Sequence, residues 1–437
     1  MSKIRLAIVG GGLAGASMAN ALYKLPHLDV HIYEAAPEFS ERGAAVGLAD
    51  NALVALNDLI PGAQEQVLDN AGAVPMNSTR LVIGSGPHAG AVVLDLLVDG
   101  KQEPGRVVHR AALLKALLAP IPQAMQHVNK KLSSISQHEE NVELIFEDGT
   151  KEVFQAVIGA DGIFGSVRKH VLQGSADEHR ASPAGFWDCR YLVPMEKARE
   201  KLGKEYFEEH RQYGWCGDGA FIMHDVLDNG STVQCVVSAV EREPPKDRSR
   251  PLTREILQTT LRNWLDGPIA KNMMDVSPGT LFNAYMCTND MAKLVLEGED
   301  LKMYSQWEHK STPTYANGQV CIMGDAAHAT SPWQGSGAAL ALEDAVVLGA
   351  LLSEAKTPAD IAPAFQAYDE ARRDRGQRVI DSSRTSGQYM CCQDEAAVAE
   401  PGKLLQLLGQ RWDFISNFDL QKQKEDAVQR AASLKAA

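Results

Sequence analysis

Three short runs in this chain combine glycine with small or acidic residues, and each follows an apolar stretch. They are Gly10-Gly11-Gly12-Leu13-Ala14-Gly15, Ala160-Asp161-Gly162 and Gly324-Asp325-Ala326-Ala327-His328. Glycine after a strand lets the backbone turn tightly and approach a phosphate, and the amides that open the next helix face its charge. In the first run Gly10 serves the turn, Gly12 the approach to a pyrophosphate and Gly15 the packing of helix on strand, with Leu13 and Ala14 between them. Glu34 follows about 20 residues on, where an acid takes a ribose hydroxyl. A glycine-rich turn alone is also an ordinary structural device; with strand, helix and Glu34 around it, it reads as a dinucleotide site. NAD and FAD share the ADP half, so the later runs decide between them. Asp325 comes after the apolar Val320 to Met323, which places its carboxylate at a strand end, able to accept from ribityl hydroxyls. The small-residue loop Pro332-Trp333-Gln334-Gly335-Ser336-Gly337 opens a helix from Ala338 whose first amides face the carbonyl oxygens of a flavin ring. An NAD enzyme has no need of that loop, so three runs in this order point to FAD.

The elements that must position these residues follow from periodicity. Ile4 to Val9 reads as a strand buried on both faces of a parallel sheet, Leu13 to Leu25 as a helix ended by Pro26, and Val30 to Tyr33 as a second strand. Gly43 to Gly47 leads into a helix from about Asn51, and Arg80 to Val98 reads as a hairpin leaving the nucleotide fold. A helix from Arg110 to Leu118 returns to it, followed by strands Val142 to Phe146 and Val153 to Ile158. Between Ala181 and Tyr304 the runs Gly219 to Met223 and Thr232 to Val240 predict an antiparallel sheet over a pocket, with a charged helical insertion from Glu196 to His210. A long amphipathic helix covers Ala338 to Leu352, and the chain after Ala362 is mostly helical. The cofactor domain is thus discontinuous: 1–75, 105–180 and 305–385. A substrate domain takes 76–104 and 181–304, and 386–437 is a C-terminal helical segment.

Composition narrows the rest. The 437 residues are 45% hydrophobic and 23% charged, the balance of a water-soluble globular protein. No apolar run reaches the ~20 residues needed to span a bilayer, and the first residues read as a strand, not a secretory signal. Seven cysteines without a C-x-x-C pair argue for reduced thiols in a cytoplasmic setting and against a metal site. A net charge of -13 disfavours nucleic acid. Oligomeric state stays open, a homodimer included.

On these residues the chain resembles the single-component, class A FAD-dependent aromatic monooxygenases, and within them the salicylate hydroxylase type. The matching residues are the first glycine run, Gly159-Ala160-Asp161-Gly162 with Ser166 and Arg168 close by, and the run Gly324 to Ala338 completed by Glu343-Asp344-Ala345. The match weakens between Ala181 and Tyr304. The resemblance implies an α/β fold like that of p-hydroxybenzoate hydroxylase, a Rossmann-like FAD domain interleaved with an antiparallel substrate domain. It also implies the reaction: NAD(P)H reduces FAD, and a flavin C4a-hydroperoxide formed with O2 hydroxylates a phenolic ring, with decarboxylative hydroxylation of salicylate as the leading case. A dearomatising or ring-hydroxylating enzyme of secondary metabolism is the alternative. A halogenase is disfavoured because no W-x-W-x-x-P segment is present, and a flavoprotein that senses redox state without turnover is the remaining rival.

The same resemblance carries Arg110 to the pyrophosphate or ribityl region and Asp161 to FAD binding and NAD(P)H use. It counts Gly47, Gly335, Gly337 and Ala338 among the cofactor contacts and sets the Pro332 carbonyl near flavin and substrate. Arg190 resembles an arginine of the first substrate-domain strand and offers a fork to a carboxylate or phenolate; a surface salt bridge with Asp188 or Glu196 is the plainer reading. His224 has an intrinsic pKa suited to assisting phenol deprotonation, though a lone histidine is more often structural. Trp333 is expected in the pocket wall, and His328 as a structural residue. Arg372-Arg373-Asp374-Arg375 is adequately read as a solvated helix face.

Overall fold

The computed structural model describes residues 3–40, 45–76, 78–97, 105–209, 211–244, 247–264, 269, 301–394 and 399–436. The expected hairpin end at Val98, Gly43, His210 and most of 265–300 in the expected substrate domain lie outside them. The chain opens with β1 (Ile4–Val9), α1 (Leu13–Leu22) and β2 (Leu28–Tyr33). Next come β3 (Ala45–Leu48), α2 (Asp50–Leu59), β4 (Val74–Met76) and a hairpin of β5 (Ser78–Ile83) and β6 (Val92–Leu97). The chain returns through β7 (Gly105–His109), α3 (Arg110–Leu118) and β8 (Gln126–His127). A meander follows, β9 (Leu132–Gln137), β10 (Val142–Phe146) and β11 (Lys151–Phe154), and then β12 (Ala156–Gly159) and α4 (Ser166–Leu172). The expected single strand Val153 to Ile158 is therefore two. The break is Gln155, whose side-chain oxygen accepts from the Arg5 amide and whose own amide donates to the Arg5 carbonyl, both at 2.9 Å.

The second half begins with β13 (Ser182–Pro194), α5 (Met195–Leu202), β14 (Arg211–Gly217), β15 (Ala220–Leu227) and β16 (Thr232–Val240). It continues through β17 (Ser249–Pro251), α6 (Arg254–Thr260), β18 (Lys302–Glu308), β19 (Ala316–Asn317) and β20 (Val320–Ile322). The helices α7 (Asp325–His328), α8 (Gly337–Glu354), α9 (Ile361–Met390), α10 (Pro401–Leu408), α11 (Asp413–Ser416) and α12 (Leu420–Ala436) complete it.

Two large sheets organise these elements. The first runs β19-β20-β12-β1-β2-β8 and is parallel except at β19. Its central strands are nearly all apolar and buried, because α1, α4 and the β9–β11 meander pack over a sheet whose inner strands have neighbours on both sides. The second runs β17-β18-β13-β16-β15-β14-β5-β6, antiparallel except where β14 meets β5. The early hairpin thus extends the later sheet, because an exposed strand edge is satisfied by any strand brought alongside it.

The arginine cluster is not a solvated face. Arg372 is 1% exposed and Arg375 8%. Arg372 donates to Glu343 and to Asp344 at 2.8 Å each, and Arg375 grips both oxygens of Glu343 at 2.7 Å. The i, i+3 spacing that suggested surface pairing sets both guanidiniums on the buried stripe of α9, where the acids of α8 neutralise them.

Candidate active site

The three glycine runs end three neighbouring parallel strands, β1, β12 and β20, and Glu34 ends the fourth, β2. In an open parallel sheet ligands bind beyond the carboxyl ends of the strands, which is where the three glycine turns and the three acids Glu34, Asp161 and Asp325 emerge. The runs touch. Gly10, at φ +108, leaves so little room that a side chain there would meet the Ala160 carbonyl oxygen at 2.3 Å. Gly324, at φ +56, faces the Ala14 methyl group, and a side chain there would come within 2.9 Å of it. Gly15 lies against the Gly10 carbonyl, 2.0 Å from where its own side chain would begin, so α1 starts hard against the turn.

Arg168 ties the second run to the third. Its guanidinium, 4% exposed, donates to the carbonyls of Ala326 and Ala327 at 3.0 and 3.1 Å and to the Thr312 hydroxyl at 3.0 Å. The third run is held from behind by Asp344, whose carboxylate accepts from the Gly324 amide at 2.9 Å and sits 2.6 Å from His328. Burial pushes the pKa of Asp344 up, but His328, Arg372 and the Gly324 amide together hold it down at about 2. His328 is 1% exposed and packs against Asp344 behind the turn.

A cavity of about 880 Å³ lies between these strand ends and the second sheet. That is the upper end of the size of small-molecule sites. Gly10, Gly12, Leu13, Ala14, Glu34 and Gly47 line it from the first part of the chain. Arg110, Asp161, Asp325, Gly335, Gly337 and Ala338 line it from the later parts. Gly15 is behind the turn and does not. The Glu34 carboxylate accepts from the Gly11 and Ala36 amides, 2.8 Å each, one on each oxygen, so its direction is fixed at the cavity edge. Asp161 accepts from the Val167 amide at 3.1 Å, and burial raises its pKa to about 6 against the opposing amide bonds. The Pro332–Gln334 turn and Gly335, at φ +63, bring the chain to the start of α8. A bare glycine cradle, an acid at three of the four strand ends and a helix opening onto the same space suit a pyrophosphate, two polyol segments and a flat ring with carbonyl groups. The residues fit FAD.

Of the residues expected to meet a substrate, Pro332, Trp333 and Arg190 line the cavity. Trp333 sits edge-on to Phe186 and Phe221, with ring centres 4.8 and 5.8 Å apart. Arg190 also makes the plainer contact: its Nε and one terminal nitrogen donate to Asp188 at 3.0 and 2.9 Å.

His224 is a correction. β15 runs on past Met223 to Leu227, so alternation turns Phe221, Met223 and Asp225 to the cavity and His224 to the other face. There it stacks on Tyr213 at 5.6 Å beside Trp215 and Phe207, and burial lowers its pKa to about 4. It holds no position from which to take a phenolic proton. The residue that the sequence reading passed over is Asp225, and the Phe221-Met223-Asp225 alternation is the signal that would have found it. A second omission is the C-terminal segment, which contributes Met390, Trp412, Asp413 and Ser416 to the cavity wall.

Comparison with known proteins agrees with this architecture. Residues 286–383 match the family model described as an FAD binding domain. The chain is 34% identical to 6-methylsalicylate 1-monooxygenase atA of Aspergillus terreus, over 99% of this chain and 93% of that one. It is 30% identical to a salicylate hydroxylase of Pseudomonas putida, over 98% of this chain and 95% of that one. Its fold superposes on a salicylate hydroxylase solved as a substrate complex with a TM-score of 0.79, at 24% identity and 98% coverage of both chains. Glycine runs converging on one sheet edge, a cavity closed by a second sheet and full-length relatives of this kind place the chain in the FAD-dependent aromatic monooxygenases, with FAD as its cofactor.

Proposed function

We propose that the enzyme hydroxylates a phenolic aromatic acid, with salicylate-type substrates first. The observation that carries this reading is a single cavity with two unlike walls: strand-end glycines and acids on one side, and a β-sheet face bearing Arg190 on the other. Bound FAD supplies hydride acceptance from NAD(P)H and the activation of dioxygen. The chain supplies the rest. The Gly10–Gly15 turn and the first amides of α1 take the pyrophosphate, and Arg110 reaches the same region. Glu34 accepts from the adenosine ribose and Asp325 from the ribityl chain. The opening amides of α8, at Gly337 and Ala338, face the carbonyl edge of the flavin ring and stabilise negative charge there.

Across the cavity, Arg190 offers its remaining donors to the substrate carboxylate, and Asp188 keeps the guanidinium in place. The Pro332 carbonyl accepts from a substrate hydroxyl or orients the ring, and it does not titrate. Trp333, Phe221 and the C-terminal segment keep water out, which protects a reactive oxygen donor from hydrolysis and side reaction. The fungal and bacterial relatives whose names contain salicylate motivate the substrate class.

The test is flavin reduction by NADH and NADPH in a stopped-flow instrument across salicylate, 6-methylsalicylate and other phenolic acids, with mass spectrometry of products. At least one acid is expected to accelerate reduction about tenfold or more and to gain oxygen, with loss of carbon dioxide in the decarboxylative case. Reduction at one rate whatever the phenol, with no oxygenated product, would sink the reading.

A further inference from the structure

The cavity side of the second sheet is laid out in rows by strand register. Thr79 lies opposite Gln212, and Asp225 opposite Gln234, and all four line the cavity. Gln212 donates from its side-chain amide to one oxygen of Asp225, and Gln234 to the other at 3.0 Å. Both glutamines are themselves oriented, since Gln212 accepts from the Thr79 hydroxyl and Gln234 from the Ala45 amide, each at 3.1 Å. Asp225 is 4% exposed. Its carboxylate is therefore buried in the substrate half of the cavity with its direction fixed by two donors whose own directions are fixed.

An ionised carboxylate has about four acceptor positions, and the two amides take one on each oxygen. Burying that group among neutral partners is costly, and burial does push its pKa upward against the two amides and Arg190. Arg190 stands one row along, on β13 opposite Val236, and is shared with Asp188. That row, beside Asp225, runs through Leu81, Met223 and Val236 and is apolar up to Arg190, and beyond it stand Phe221 and Trp333. The wall thus offers an apolar band bounded by Arg190, an aromatic end, and a polar end centred on an acceptor.

Building on the aromatic-hydroxylase reading, we infer that Asp225 accepts a hydrogen bond from a hydroxyl of the bound ring and so selects substrates that donate at that position over those that only accept. A phenol hydroxyl lying against the Asp225 carboxylate adds a third donor to a buried acceptor that otherwise has only two neutral amides. A methoxy group or a second carboxylate at the same place meets only lone pairs. The sequence neighbour His224 has no part in this.

The experiment titrates the FAD holoenzyme with benzoate, its 2-, 3- and 4-hydroxy derivatives and the corresponding methoxy compounds, reading the shift in flavin absorbance. The wild type is expected to bind at least one hydroxybenzoate about tenfold more tightly than benzoate or the matching methoxybenzoate. Asp225→Asn, whose neutral oxygen is a weaker acceptor, is expected to cut that advantage several-fold while flavin content stays as it was, and Asp225→Glu to recover part of it. Should the Asn variant lose flavin, Asp225→Ser, which leaves room for water, gives the reading instead. If the preference for a hydroxyl survives removal of the carboxylate, Asp225 is only structural and the inference fails by itself. A wild-type enzyme that binds none of these acids, with no acid stimulating NAD(P)H oxidation, overturns the inference together with the reading beneath it.

Discussion

Arg190 combines two duties on one guanidinium, holding Asp188 and facing the cavity. Replacing it by glutamine should raise the dissociation constant for carboxylated rings by about 10- to 100-fold, the range of a charge-assisted bond, and leave flavin content unchanged. Ligand titration of the holoenzyme checks this. Asp161 gives a stability prediction with a definite sign. Its pKa is raised on folding from 3.8 to about 6, so the folded state prefers the protonated carboxyl. The favourable contribution is complete below about pH 4 and is lost as pH rises through 6. In the apoprotein Asp161→Asn should therefore melt higher than the wild type at pH 7.5, and the gap should close by pH 4. A constant gap across that range would refute the burial argument. At this scale the sequence was legible where backbone chemistry dictates residue type, as at Gly10 and Gly324, whose positive φ angles suit glycine. It was not legible where one position of strand register decides which of two neighbours faces the cavity. His224 and Asp225 differ only in parity, and parity is decided by which face of β15 the fold turns to the cavity.

At the level of elements, α8 and α9 are joined by Arg372 and Arg375 against Glu343 and Asp344, and Asp344 reaches on to the Gly324 amide. Asn51 adds α2 to the same group by donating to Glu343 at 2.9 Å. Removing one partner from a buried ionic group strands the others, at a cost of about 3 kcal/mol or more. Arg372→Leu should lower stability by that order in chemical denaturation. It should also weaken flavin retention on gel filtration, because the turn that presents Asp325 loses its backing. A variant that kept its flavin at wild-type strength would separate the network from the turn. The ends of β1, β12 and β20 could be read from sequence because each is an apolar run closed by glycine. The charged helix could not: a spacing of three and four suits both a solvated face and a buried one, and only the acids of the preceding helix, once it folds back alongside, decide between them.

For the molecule as a whole, the C-terminal segment is part of the active cavity. Leu404, Leu408 and Ile415 are buried, Trp412 and Asp413 line the cavity, and the Gln334 side chain donates to the Arg411 carbonyl at 2.9 Å. Ending the chain before Pro401 should therefore let water in as well as lower the melting temperature. The fraction of NAD(P)H oxidised without oxygenated product should rise several-fold, roughly as expected when a site loses its dry wall, and a peroxide assay beside product analysis measures it. The layout of the first sheet bears on biosynthesis as well. Val9 pairs with Gly159 and Val157 with Val320, so the strands that meet at its centre come from the beginning, the middle and the late part of the chain. A nascent chain emerging from the ribosome has no place to capture flavin until α8 has been translated. Until β20 arrives the apolar edge of β12 waits unpaired, which favours slow synthesis, chaperone assistance and ample riboflavin during expression.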